Sequence, residues 1–520
     1  MISAETYSFY KSIYETLTYL WLVPWAISGT LVGAVLYYFK LLRADLLDRL
    51  LRLIVGVDFF LLIAMAISHL FYPSYLEHVE PSIASLGLIY LQKGQIYPPL
   101  SEYSMHGLMY GPLLAEAQAL FGAVNLPVIF SSKLLGVMAF IFSSIVLLKM
   151  FTGFARAYLI FLIPFGLFNF WNRAEPLVIL FVTLTLLVMR QPVRIKTSIV
   201  LGCLVGLAAS LKIHAASYIV TAIFARPDLF KSWTVQKGLV FLAAIFFVLI
   251  ASHTPQQISI YGFVSYLDLF RKHGLSNTLL LENLTHMLVL LFPILYLLLT
   301  GPGKNSKYFI PTILLIAVEL IVAVIASKPG AGSHHLMPFI PLHAWIIQGI
   351  LNESPALDAS ISPFKFGLLI LGLVTLITPL VLAGKHITRY SVQSELKKEV
   401  EMMAEHYPGV VLAPSDVKSY PHVYFRPILD AKGYQQIDIP GAMELNFSNV
   451  PDDVLVAAMS SCRIPYLALP VEGEPFTLVN YYTMASLFSD NVRSAFQKHY
   501  SPVSSPLTKH YRVYSCAVRD

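Results

Sequence analysis

Apolar residues gather in long runs along this chain. Runs long enough to span a hydrocarbon core, or nearly so, cover about 17–39, 53–72, 126–149, 154–171, 175–189, 197–212, 214–225, 237–253, 279–300, 309–327, 337–351 and 364–383. They predict about a dozen transmembrane helices. Several runs are short, which predicts tilt or re-entrance. Residues 1–16 carry Glu5, Lys11 and Glu15 where a signal peptide would have a basic segment, so no cleavable signal is expected.

Basic residues between the runs set the orientation. Lys40, Arg43, Arg49 and Arg52 fall in one loop, Lys149 and Arg156 in another, and Arg190, Arg194, Lys196, Arg226, Lys231, Lys237, Lys304 and Lys307 in later alternate loops. By the positive-inside rule those loops are cytoplasmic. The other side then receives the loop 73–125, the turn at Asn172-Arg173, the loop 254–278, the segment 328–336 and the tail from Lys385. Two domains are therefore expected: a membrane domain, 1–384, and a soluble extracytoplasmic domain, 385–520.

Within the loop 73–125, Pro81 to Leu91 and Gly111 to Phe121 read as amphipathic helices along the membrane surface. Between them, Gln95 to Pro99 and Ser104 to Gly107 supply turn chemistry. The tail alternates helix (394–406, 451–461, 482–499) with strand (410–413, 464–469, 511–518), the pattern of a small α/β layer. The fold class is a mainly α polytopic membrane protein with a small α/β domain at its end.

Composition agrees. Hydrophobic residues make up 56% and charged residues 13%, with a mean hydropathy of +0.67, against roughly 25% charged in soluble domains. The net charge of +6 belongs to the orienting loops, so nucleic acid is not an expected partner. Cys203 sits in an apolar run as a buried thiol, whereas Cys462 and Cys516 could bridge in an oxidising compartment. Asn283-Leu284-Thr285 and Asn446-Phe447-Ser448 are formal glycosylation sequons, relevant only in a eukaryotic lumen.

Glu77 and Glu80 stand three residues apart just beyond the second span, sharing one face of a helical turn. The bland reading is two interfacial acids that mark a helix start. Arg173, Glu175, Lys212, His214, His334 and His335 fall at the external ends of spans. Arg173 and Glu175 could simply pair. An ionisable Lys212 or His214 inside a long apolar stretch is costly without a function. Arg271, Lys272 and His273 read as a solvated loop or as one that could close over a substrate, and Pro470 to Phe476 as scaffold or one wall of a cleft.

Glu77-His78-Val79-Glu80-Pro81, then Gly94-Gln95-Ile96-Tyr97, then Tyr110-Gly111-Pro112-Leu113, resemble the first external loop of the C-type glycosyltransferases, nearest the bacterial protein-mannosyltransferase and aminoarabinose-transferase group. Trp171 to Pro176, Leu211 to Ala215 and Ser333 to Pro338 resemble further external helix ends of that family. The resemblance covers most of the membrane region. It implies transfer of a sugar from a polyprenyl-phosphate-linked donor to an extracytoplasmic lipid, glycan or protein, usually with inversion, at a bacterial inner membrane. A phosphate leaving group needs no proton, so one carboxylate base can suffice. Glu77 takes that role, though the family more often has Asp there, and Glu80 orients the acceptor. Either acid could help hold Mg²⁺ or Mn²⁺, but two acids do not make a metal site. Arg173, Glu175, Lys212, His214, His334 and His335, with His78 and Tyr110, become the phosphate- and substrate-binding set.

Two rivals stand beside this reading. A transporter or lipid flippase would place polar, broken helices at the midplane of two related halves, and no second half resembles the first. An oligosaccharide ligase or polymerase would use a pyrophosphate-linked donor and depend on arginines in its large external loop. The loop 73–125 contains none.

Overall fold

The computed structural model describes residues 22–41, 43–94, 96–97, 110–124, 126–228, 233–253, 260–271, 274–300, 306–416, 418–441, 443, 452–480, 484–503 and 508–517. The start of the first span, Gln95, the turns at 98–99 and 104–107, Lys272, His273 and the sequon at Asn446 lie outside these residues.

Every apolar run holds a helix. Among the described residues, Ala44–Phe71, Val128–Met150, Val235–His253, Asn277–Leu299 and the run Ser362–His406 are long and apolar enough to cross a membrane. Gly153–Asn169, Ala174–Met189, Ile195–Leu211, Ala215–Phe224 and Phe309–Ile325 are shorter apolar helices. Phe60, Phe246 and Phe247 lie exposed on such helices, as lipid-facing side chains would. Some ends depart from the sequence reading. Ala44–Phe71 begins well before the expected 53, with Asp45 in its first turn against the helix dipole, so Arg49 and Arg52 lie on the helix and not in a loop. The run at 154–171 is a short α-helix followed by a 3-10 segment, Leu159–Asn169, which contains Pro164 and breaks at Gly166.

The chain forms two compact units. The first comprises 1–69, 136–250 and 275–388. In it Leu22–Tyr38 packs along Ser362–Thr375 through small residues, Ala26, Gly29 and Thr30 against Gly367.

The second unit comprises 70–135, 251–274 and 389–520. The two expected surface helices are present as Val79–Lys93 and Pro112–Gly122 and pack on each other. Residues 80–89 are all buried, which corrects the picture of a helix with one face in water. Part of the reason is the tail. Ser82 bonds Asp438 and Arg426, Ser85 bonds Asp430, and Gln92 donates to the carbonyls of Asp430 and Ala431.

The tail folds around a four-stranded sheet of β1 (Val410–Leu412), β2 (Tyr466–Pro470), β3 (Tyr500–Pro502) and β4 (Tyr511–Cys516), in the order β1-β2-β4-β3. β1 and β2 run parallel, with Val411 opposite Leu467, and β4 runs antiparallel to both β2 and β3. The expected helix at 482–499 is only Asp490–His499, because Ser489 caps its first turn by accepting from the Val492 amide. β3 and the helical turn Arg426–Asp430 had no counterpart in the sequence reading. Cys462 and Cys516 are joined in a disulfide, while Cys203 is free.

Candidate active site

Three separate segments of the first unit bring six of the expected site residues into one buried cluster. Glu175 opens the helix Ala174–Met189, Lys212 ends the helix Ile195–Leu211 in an extended conformation, and His334 and His335 lie on the 3-10 turn Ser333–Phe339. The preceding Gly332 has φ +156°, a conformation that L side chains rarely adopt. Gly136 allows another close approach, because a Cβ there would lie 2.3 Å from the Trp171 carbonyl oxygen. Helix Val128–Met150 thus fits tightly against the backbone that leads into Arg173.

Lys212 Nζ donates to Glu175 Oε1 at 3.2 Å. Arg173 Nε lies 3.7 Å from Oε2, an ion-pair distance, while its guanidinium stacks 4.2 Å above the Trp171 ring. His334 stacks on Phe168 at 4.6 Å and lies 4.5 Å, ring to ring, from His335. His214 Nε2 and His335 Nδ1 share a 3.2 Å hydrogen bond, and the Tyr218 hydroxyl donates to the His335 carbonyl at 2.7 Å. Two cations thus face one carboxylate. Burial brings His334 down to about 3, and His335 falls well below its usual range for the same reason. These two imidazoles are therefore neutral.

The acid pair belongs to the second unit, and its geometry is local. Glu77 Oε2 accepts from the Val79 amide at 2.8 Å, and Oε1 lies 2.5 Å from His78 Nδ1. Glu80 is fully buried, and its Oε2 accepts from the Leu76 amide at 3.1 Å. Glu77 keeps about 20% side-chain exposure, so it is the acid that solvent reaches. Three carboxylate oxygens already have partners, a poor fit to a hard dication that needs about six oxygens. Tyr110 is also buried, and its carbonyl accepts from the Tyr97 hydroxyl at 2.7 Å, joining the Gly-x-x-Tyr turn to Tyr-Gly-Pro.

Two crystal structures share this architecture. ArnT from Cupriavidus metallidurans bound to undecaprenyl phosphate matches 89% of this chain and 97% of its own, at a TM-score of 0.53 and 11% identity. The apo form of the same protein matches 88% and 98%, at 0.50 and 10%. The fold is that of ArnT. No protein-family model and no curated protein matches the sequence. The membrane-glycosyltransferase fold expected from the external motifs is therefore present, and at this identity the likeness speaks for fold alone.

Within the ArnT-like fold the sequence reading missed Lys133. It is fully buried in the second unit, and its Nζ donates to the carbonyls of Tyr72 at 2.7 Å and Ser74 at 2.6 Å, below the loop that carries the acid pair. A lysine inside the apolar run 126–149 was the available signal. Glu319 and His343, 2.7 Å apart and fully buried in the first unit, were missed in the same way.

Proposed function

We propose that this protein is an integral-membrane glycosyltransferase that moves a monosaccharide from a polyprenyl-phosphate donor to an extracytoplasmic acceptor. The observation that carries the reading is the cluster of Arg173 and Lys212 on the buried Glu175 carboxylate, in a fold shared with a protein crystallised with undecaprenyl phosphate. Fixed cations in a dry site favour an anion far more than they would in water. The donor's phosphate is the anion that this chemistry selects, and Arg173 with Lys212 would receive it.

The acceptor hydroxyl attacks the anomeric carbon while its proton passes to the Glu77 carboxylate. A new C–O bond forms, the bond to the phosphate oxygen breaks, and the electron pair leaves with polyprenyl phosphate, which needs no proton. Attack opposite the leaving group inverts the anomeric centre. Glu77 fits the base because it retains exposure while Glu80 is sealed. Glu80 holds the turn through the Leu76 amide, and no step runs through a metal.

The tail's disulfide and the basic loops support an extracytoplasmic tail on a bacterial inner membrane. The experiment that tests the reading is mass spectrometry of envelope glycans and lipids from a strain that lacks the protein. Loss of one sugar mass, restored by wild type and not by Glu77→Gln, is expected. An unchanged envelope glycan and lipid profile contradicts the reading.

A further inference from the structure

Arg52 and Arg156 line one cavity of about 170 Å³ in the first unit, between the helix Ala44–Phe71 and the short helix Gly153–Tyr158. Each spends one donor on a backbone carbonyl: Arg52 Nε on Asp48 at 3.2 Å, and Arg156 Nε on Phe151 at 2.8 Å. An arginine has five donors, so four remain on each guanidinium. The carboxylate that also lines the cavity, Asp48, is held by Lys365 at 3.0 Å and not by either arginine. Among the described residues, no carboxylate pairs with Arg52 or Arg156. Other arginines between the apolar runs have a structural task, because Arg190 and Arg226 each turn a terminal nitrogen onto a carbonyl at a helix end, that of Met150 or Met189. No such task uses the terminal nitrogens of Arg52 and Arg156. We propose that these two arginines bind the phosphate of an anionic phospholipid.

Guanidinium groups suit a phosphate because their planar forks match its oxygens in pairs, and each such contact is charge-assisted. The cavity has room for several waters, and so for a phosphate group. What lies beside the arginines selects a lipid over a free ion. Arg52 stands where the charged start of its helix gives way to the apolar run that begins at Leu53, the depth at which head groups meet hydrocarbon. Leu53, Val57 and Phe60, on the adjoining side of that helix, are exposed at 65%, 36% and 69%, a surface on which acyl chains can lie. Basic pockets between membrane helices hold anionic head groups in this way. That the leaflet is the cytoplasmic one rests on the orientation read from the basic loops. The site itself rests neither on that orientation nor on sugar transfer.

The test uses full-length protein in detergent, freed of co-purified lipid and titrated with phosphatidylglycerol, phosphatidylcholine and inorganic phosphate, with bound lipid counted by native mass spectrometry. Wild type should hold one phosphatidylglycerol about tenfold or more tightly than phosphatidylcholine. Arg52→Gln and Arg156→Gln should each weaken it about 10–100-fold, and Arg194→Gln, in another basic loop, should leave it unchanged. Equal binding of phosphatidylcholine, or undiminished binding of phosphatidylglycerol by the Arg52→Gln, Arg156→Gln double variant, overturns the site. Inorganic phosphate bound as tightly as phosphatidylglycerol shows a free-ion site and overturns the lipid. Undecaprenyl phosphate that displaces phosphatidylglycerol mole for mole overturns a site separate from the donor's. If the variants do not fold, a photoreactive phosphatidylglycerol on wild type decides: labelling of peptides that cover 44–60 and 153–158 supports the site, and labelling confined to other segments overturns it. Sugar transfer by the same preparation reads the glycosyltransferase proposal separately, so either can fail while the other stands.

Discussion

Glu77 and Glu80 take their backbone hydrogen bonds from amides two and four residues away, whereas Glu175 is held by Lys212, 37 residues along the chain. The two regions meet opposite electrostatic demands. The acid loop keeps negative charge in a short turn by offering it amide dipoles and leaves Glu77 within reach of solvent. The cluster sets two cations against one buried carboxylate. A base that must accept a proton suits the first arrangement, and a group that must hold a departing anion suits the second. The contrast implies that changes in the acid loop should act on turnover, and changes in the cluster on lipid binding.

The largest expected effect is at Glu77. Glu77→Gln keeps the shape and removes the base, so turnover should fall about 10²–10⁴-fold while affinity for undecaprenyl phosphate stays within about twofold of wild type. Equal losses in rate and binding would erase the distinction between the regions. Next comes Lys212→Met. Loss of a charge-assisted contact should weaken undecaprenyl phosphate binding about 10–100-fold. Its Glu175 partner, left with less compensation, should cost about 3–5 kcal/mol in stability, measured by thermal unfolding in detergent. Lys212→Arg should recover part of both.

Lys133→Met sharpens the contrast within the second unit. It leaves the buried carbonyls of Tyr72 and Ser74 without their donor, at about 1–3 kcal/mol, and loosens the loop that carries Glu77. kcat should fall roughly tenfold with little change in lipid affinity. A change confined to affinity would place Lys133 with the binding residues instead. The last effect concerns pH. Burial raises the Asp430 carboxyl to about 7 from 3.8, even though Ser85 donates to it. Below about pH 4 both folded and unfolded chains are protonated there. As pH rises towards 7 the unfolded chain ionises first, so stability falls across that window and levels above it. Asp430→Asn should flatten the slope in unfolding scans between about pH 4 and 7. An unchanged slope would show that other groups set it.

What the sequence revealed followed the same division. The acid pair, the Gly-x-x-Tyr turn and the helices around them were legible because each is defined by neighbours a few residues apart. The helix starting at Asp490 was overextended because Ser489 can either cap a helix or continue a polar stretch, and only the chain's path decides. The cluster was legible as an inventory, since charged residues at the ends of apolar runs stand out. Its pairing was not, because Glu175, Lys212 and His334 meet only through packing of distant segments. Lys133 went unread because one lysine near the end of an apolar run looks like an interfacial anchor until the carbonyls it serves are seen. The pairing of Cys462 with Cys516 was open for the same reason.

The most direct test of the central claim is release of free undecaprenyl phosphate from a panel of undecaprenyl-phosphate-linked monosaccharides by purified protein in liposomes that contain envelope acceptors. The expectation is release from at least one donor, matched mole for mole by sugar on acceptor, and abolished by Glu77→Gln. Translocation of intact donor without release, or equal release by wild type and Glu77→Gln, would contradict it.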